Sequence, residues 1–275
     1  MIKNYFKIAW RNLWKNKSFS VINISGLALG LTCSILIFLW VKDEYGVDAF
    51  HKNRNRIYII TSQEYVDNEI NGSYDTPGLL GEELKKVMPE VELACNYAGW
   101  NNFFTFSSGN KKMKQPGNFA GKDFFKIFSY PLLQGTAETA LKDPESIAIS
   151  QKMATNFFGS PAAAINKTIK FENYKELKVT AVFADIPDNS SEHFEYIINW
   201  DLFVEREPWS KDWSNSGPTT FVQLRTDADP ALVESKLQHF IKSYSKNYSE
   251  VRLELGLQRS GSRSEERRVG KECRS

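Results

Sequence analysis

The chain has 275 residues, of which 41% are hydrophobic and 25% charged, a composition that leaves room for one large or two modest folded domains beside a minor membrane segment. The net charge is +2, but it is unevenly spread: residues 1–17 carry Lys3, Lys7, Arg11, Lys15 and Lys17 with no acid. The stretch Arg263–Ser275 carries a surplus of roughly two further positive charges, which leaves about −5 for everything between and excludes a basic surface for nucleic acid there.

The first segment, "MIKNYFKIAWRNLWKNK", sets Ile2, Phe6, Ala9, Trp10, Leu13 and Trp14 on one helical face, while Lys3, Lys7, Arg11 and Lys15 recur every four residues on another. This pattern predicts an amphipathic helix over residues 1–18 lying in the membrane interface. Lys3, Lys7, Trp10, Arg11, Trp14 and Lys15 would anchor it, with rings at headgroup depth and cations toward anionic lipid.

Next comes an uncharged stretch from Lys17 to Lys42, and within it Ile24–Val41 is apolar enough for a helix of about 27 Å, close to the thickness of a bilayer core. A cleaved signal would have a shorter apolar region followed by a small-residue cleavage site; here "FLWVKDEYG" follows, so residues 19–42 are read as an uncleaved transmembrane helix. The basic flank places the N-terminus in the cytoplasm and residues 43–258 outside it. Gly26, Gly30 and Ser34 recur every four residues in the span, a face on which another helix could approach closely, although glycine is also simply common in such helices.

From Phe50 to about Gln258 strands and helices alternate without a low-complexity linker. "RIYIITSQE" reads as a strand; Thr76 and Pro77 then supply a cap and a first helical residue, with Leu80, Leu84, Val87 and Met88 as the apolar stripe, and "VELACNY" follows as a strand. The same grammar returns near the end: "TTFVQL", a helix opened by Asp229 and Pro230 with Val233, Leu237, Phe240, Ile241 and Tyr244 on one face, then "VRLELGL". Residues 43–99 and 216–258 are therefore assigned to one subdomain built of β-α-β units, and 100–215 to an insertion. In the insertion "SIAIS" reads as a strand, Ser150 opens a helix stopped at Gly159 and Pro161, and Leu177, Val179, Ala181 and Phe183 face inward before a turn at 187–190. The fold class is α+β: an interfacial helix, one transmembrane helix and a mixed extracytoplasmic domain.

Little in this chain points to chemistry. No G-x-x-x-x-G-K-[ST] sequence occurs, so it is not itself a P-loop ATPase. His51, His193 and His239 stand far apart, and His193 beside Glu192 and Glu195 reads as a solvated loop rather than a metal site. Asp185 and Asp188 around Pro187 fit turn chemistry. Cys95 is the one thiol between the span and the tail, which rules out a disulfide framework there. Phe103, Phe104, Phe106, Phe124, Phe125 and Phe128 suit core packing better than a groove. Trp209 and Trp213, in a polar loop, are the better candidates for a contact surface. No catalytic, cofactor-binding or metal-binding residue is expected, and the chain is not expected to be an enzyme.

The ordered stretches "NYFKIAWRNLWKNKSFSVINISGLALGL", "FHKNRNRIYII", "FAGKDFFKIFSYPLLQG", "LKDPESIAISQKMATNFFG" and "VTAVFADIPDNSS" resemble the MacB/FtsX-like permeases of ABC transporters in the form found in Bacteroidetes-type bacteria. One departure is "AAINKTI", Ala163–Ile169, where the family reads nearer to Pro-Ile-Gly-Lys and Asn166 takes the glycine position. The resemblance implies a four-span inner-membrane permease whose porter-like periplasmic domain carries an insertion. It also implies a separate ATPase subunit that uses the ATP, and a second permease copy. Export or transmission of mechanical force would be its function. Residues 259–275 resemble the in-frame translation of a sequencing-library adapter, which implies that the natural protein continues past about Gln258. Without the resemblance, a single-span extracytoplasmic sensor or ligand-binding module fits the same pattern.

Overall fold

The computed structural model describes residues 2–46, 48, 50–66, 69–100, 102–187, 189–244 and 252–259, in two compact units divided after Gly46. Of the tail assigned to an adapter, 259–275, the first residue departs from expectation, since Arg259 pairs with Tyr58 as the last residue of a strand, and residues 260–275 lie outside the described residues, as do Asp188 and residues 245–251.

The N-terminal unit is two helices, α1 (Ile2–Lys15) and α2 (Lys17–Gly46). The break falls at Asn16, and the turn is stitched by the Ser20 hydroxyl donating to the Leu13 carbonyl at 3.0 Å. Within α2, Lys17–Asp43 is long and apolar enough to cross a membrane. At 1.5 Å per residue those 27 residues span about 40 Å, more than the roughly 30 Å hydrocarbon layer, so both ends reach headgroup depth.

The second unit is a mixed α/β domain around one sheet. In chain order its first elements are β1 (Ile57–Val66), β2 (Glu69–Ser73), α3 (Leu80–Val87) and β3 (Val91–Tyr97). The chain continues through β4 (Asn102–Ser108), β5 (Lys111–Ala120), α4 (Phe124–Ile127), β6 (Leu132–Gln134), β7 (Ser146–Ser150), α5 (Gln151–Phe158) and α6 (Pro161–Ala164). Next are β8 (Thr168–Phe171), β9 (Lys175–Phe183), β10 (Tyr196–Asn199) and α7 (Trp200–Arg206), and last β11 (Thr219–Leu224), α8 (Pro230–Leu237) and β12 (Arg252–Arg259).

The order β3-β11-β1-β12 is antiparallel throughout, so β1-α3-β3 and β11-α8-β12 are two split β-α-β units threaded through each other, a ferredoxin-like arrangement. Its core is Ile60, Leu80, Leu84, Met88, Val222, Val233, Leu237, Ile241 and Leu255, the stripes of both helices against one sheet face. Val87, expected in that stripe, is 45% exposed. The sheet continues from β3 into β5 and on to β4, β8, β9, β7 and β10, all from the segment between β3 and β11. A second core there is almost wholly aromatic and aliphatic, with Phe106, Phe119, Phe171, Tyr196 and Phe203 at its centre. Of the six phenylalanines assigned to packing, Phe106, Phe124, Phe125 and Phe128 are buried, Phe104 is half-buried, and Phe103 is 55% exposed.

One helix start differs from expectation. Thr76 and Pro77 do not open α3; the Thr76 amide and hydroxyl both donate to the Pro218 carbonyl, and the hydroxyl pairs with Thr220 at 2.7 Å. Those bonds hold the segment off the helix, which begins at Leu80 with Glu82 and Glu83 in its first turn. Ser150 and Asp229 do cap α5 and α8, accepting from the Met153 and Ala231 amides, and Gly159 ends α5 in the left-handed conformation. Pro161 does not act as a second stop but opens α6, capped by Ser160. Asn166 holds φ 61°, so asparagine makes the left-handed turn that glycine would serve.

Candidate functional site

Two regions follow from the residues singled out in the sequence, one in each unit. On α1, Lys7, Trp10, Arg11, Trp14 and Lys15 are all exposed; Lys3 lies on the same helix, its side chain outside the described residues. Lys17, the first residue of α2, places its ammonium 5.4 Å from the Trp14 ring centre. Gly26 and Gly30 meet no other described atom where a side chain would stand, and the Ser34 hydroxyl donates back to the Gly30 carbonyl at 2.9 Å, so this face of α2 is smooth.

In the domain, Trp209 and Trp213 are half-buried and belong to different cores. Trp209 donates from Nε1 to the Glu207 carboxylate and packs edge-on to Phe203, with Trp100 at 6.1 Å. Trp213 lies 4.4 Å from Tyr244, against the core of the four-stranded part. The structure does not bring the two together as one surface. His193 is exposed, while its neighbours are engaged elsewhere: Glu192 accepts from the Tyr97 hydroxyl at 2.7 Å and Glu195 accepts from Ser150 and Lys152. Among the described residues no group of His, Cys, Asp and Glu is arranged to hold a metal. Burial pushes the Cys95 thiol far above its ordinary range, which keeps it protonated and unreactive.

Two polar clusters escaped the sequence reading. The first ties down the start of the domain. Asp48, at φ 54°, donates its amide to the Asn189 carbonyl and accepts from the Ser191 amide at 3.0 Å. Three residues on, His51 is 5% exposed among Phe50, Phe128 and Tyr130, and its Nδ1 accepts from the Ser129 amide at 3.0 Å. Burial pulls the imidazole pKa down to about 4, only partly opposed by the Asp48 charge, so His51 is neutral at ordinary pH. Lys52 adds a bond from its amide to the Ser129 hydroxyl. The second cluster is in a cavity of about 320 Å³ floored by Trp200, Ala94 and Gly121, where Asp123 takes both Lys85 and Lys126. Burial raises the Asp123 carboxyl, but the two ammonium groups outweigh it and hold the group below its ordinary range. Each cluster is closed by a distant partner, Ser191 lying 143 positions from Asp48 and Lys85 lying 38 from Asp123, although Lys126 is only three residues from Asp123.

The architecture is thus a helix long and apolar enough to cross a membrane, followed by a ferredoxin-like sheet with a large strand-rich insertion. The chain belongs to the family of MacB-like periplasmic core domains, which matches residues 20–240. Its fold is similar to a domain of a permease protein from Porphyromonas gingivalis, at 20% identity and TM-score 0.64, over 77% of this chain and 94% of that one. It is similar also to the periplasmic region of MacB from Actinobacillus actinomycetemcomitans, at 13% identity and TM-score 0.50, over 82% and 94% of the respective chains. Curated protein sequences give no match.

Proposed function

We propose that this chain is the first span and periplasmic domain of an ABC-transporter permease, working with a separate ATPase subunit and a second permease copy in the inner membrane. The observation that carries this reading is continuity: a family domain over residues 20–240 includes the membrane-length helix rather than beginning after it. The basic residues Lys7, Arg11, Lys15 and Lys17 before the span, and Asp43 with Asp48 after it, support a cytoplasmic N-terminus with the domain outside. On this reading the chain catalyses nothing; nucleotide-driven movement of the spans is passed to the domain for export or for mechanical signalling.

The test is a long-read sequence of the locus past the Gln258 codon. An open frame continuing into three further apolar spans beside an ATPase gene is the expected result. A stop after Ser275 with no further span overturns the permease reading and favours a single-span sensor or binding module.

A further inference from the structure

The turn between α1 and α2 leaves a groove of about 400 Å³. Its walls are Trp10, Leu13 and Trp14 from α1 and Val21 and Ile24 from α2, with Lys17 and Ser20 at the turn itself. We propose that this groove is a binding site for one anionic glycerophospholipid, its phosphate held by Lys17 and an acyl chain laid along Val21 and Ile24. The inference rests on α2 crossing the membrane.

Depth and charge argue for a lipid rather than a protein segment. Seven residues of α2 separate Lys17 from Ile24, a rise of about 10 Å, and Ile24 begins the apolar run that fills the hydrocarbon layer. The groove therefore runs from a cation at its mouth to apolar walls toward Ile24, the same order in which a membrane runs from phosphate to acyl chain. The Trp10 and Trp14 rings, 61% and 63% exposed, stand at the intermediate depth where indole is favoured. No acid occurs in the first 42 residues to neutralise Lys7, Arg11, Lys15 and Lys17. A hydrophobic helix from another chain would gain from the apolar walls but would leave the Lys17 ammonium without a counter-charge at the groove's mouth. The Ser20 hydroxyl is already used by the Leu13 carbonyl, which fixes the angle between the walls and so preforms the site.

The experiment reconstitutes the full chain in nanodiscs of phosphatidylcholine with a minor fraction of brominated lipid, either phosphatidylglycerol or phosphatidylcholine. Tryptophan quenching is compared between the intact chain and Trp10→Phe/Trp14→Phe, so that the difference reports the groove. The expected result is an about fivefold enrichment of brominated phosphatidylglycerol over brominated phosphatidylcholine, the effect of one basic residue at an anionic surface. Lys17→Gln removes it, and Lys15→Gln, whose side chain does not line the groove, leaves most of it. Equal quenching by the two lipids overturns the proposal. Equal loss from Lys15→Gln and Lys17→Gln overturns it too, by showing diffuse attraction instead of a site. So does quenching that weakens as chains crowd while Trp10 becomes crosslinkable to a second copy, which would show a helix in the groove. Resistance to alkaline extraction is measured on the same samples: an extractable chain shows that the spanning reading itself has failed.

Discussion

His51 makes acid stability a test of how the domain begins. The unfolded chain protonates this imidazole near pH 6.5, whereas in the folded domain burial among Phe50, Phe128 and Tyr130 delays protonation to about pH 4. Below pH 6.5 the unfolded state thus binds more protons, and stability falls as pH falls, until the folded pKa is reached. At 1.36 kcal/mol per unit, the interval from 6.5 to about 4 is worth about 3 kcal/mol, and about 2 kcal/mol of that is lost by pH 5. Protonated Nδ1 cannot accept from the Ser129 amide, so the same step frees the contact between residues 51 and 129. The assay is urea unfolding of the full chain in nanodiscs, followed by tryptophan fluorescence at pH 7.5 and 5.0, beside His51→Gln. Glutamine can accept from the Ser129 amide but does not titrate, while exposed His193 and His239 remain in both proteins and cancel. The wild type is expected to lose about 2 kcal/mol more than the variant over this window. Identical pH dependence would refute the reasoning, since His51 would then titrate in the fold as it does in the unfolded chain.

Asp123→Asn is expected to lose about 2 kcal/mol at pH 7, because Lys85 and Lys126 lose a carboxylate that is only 6% exposed. That loss shrinks as pH falls through the ordinary carboxylate range, where the unfolded chain takes up its proton first, and is gone only at the lower pH where the folded group, held down by the two ammonium groups, is protonated too; urea titration from pH 7 downward checks both statements. Asp229→Ala removes the cap of α8 and should cost about 1 kcal/mol by the same method. Gly135→Ala should cost clearly more than Gly109→Ala. Both glycines have positive φ, worth about 1–2 kcal/mol for any other residue, but a Cβ at 135 would stand 2.4 Å from the Thr180 carbonyl oxygen while that at 109 meets open space. Thermal unfolding of the pair shows whether the clash or the backbone angle dominates.

What the sequence makes legible here is what repeats locally. The apolar run of α2, the alternation of Leu177, Val179, Ala181 and Phe183 in β9, and the Ser150 and Asp229 caps are each read from a few adjacent residues. β4 and β5 are not: β5 carries Lys111, Lys112, Lys114, Pro116 and Gly117, a poor strand by propensity, and is held by pairing with β4 and β10. Gly117 is required there by its neighbour, since a Cβ would fall 2.4 Å from the Tyr196 carbonyl oxygen, a contact across 79 positions that nothing nearby announces. The Thr76–Pro77 expectation failed for the same reason. A good local cap was overridden by Pro218 and Thr220, which arrive from the far end of the chain. The domain's polar clusters, at Asp48 with His51 and at Asp123, are likewise products of tertiary contact, so a scan for motifs passes over them.

The join between the two parts of the sheet bears on how the domain can move. Backbone pairing from β3 to β5 is narrow, with the Tyr97–Ala120 pair and bonds from the Ala98 and Gly121 amides to the Phe119 and Asn96 carbonyls. Taken alone, so short a ladder would be a hinge. The side chains decide otherwise: one core cluster holds Ile57, Cys95 and Tyr97 from the four-stranded part together with Ala120, Phe124, Ile127, Phe183 and Ile197 from the insertion. Tyr97 stacks on Phe124 at 5.8 Å, gives its hydroxyl proton to Glu192, and has the Asn118 side-chain amide 2.6 Å from the same hydroxyl. Turning one part against the other would expose those apolar groups and leave the Tyr97 hydroxyl and Glu192 without each other, a penalty of several kcal/mol from apolar area and lost hydrogen bonds together. Asp48, His51 and Lys52 fasten the entering chain to residues 129 and 189–191 of the insertion, and Arg56 bonds Glu92 and the Leu224 carbonyl of the four-stranded part. A displacement of residues 48–56 is therefore applied to both parts at once, and the domain answers it as one body rather than by bending at the join.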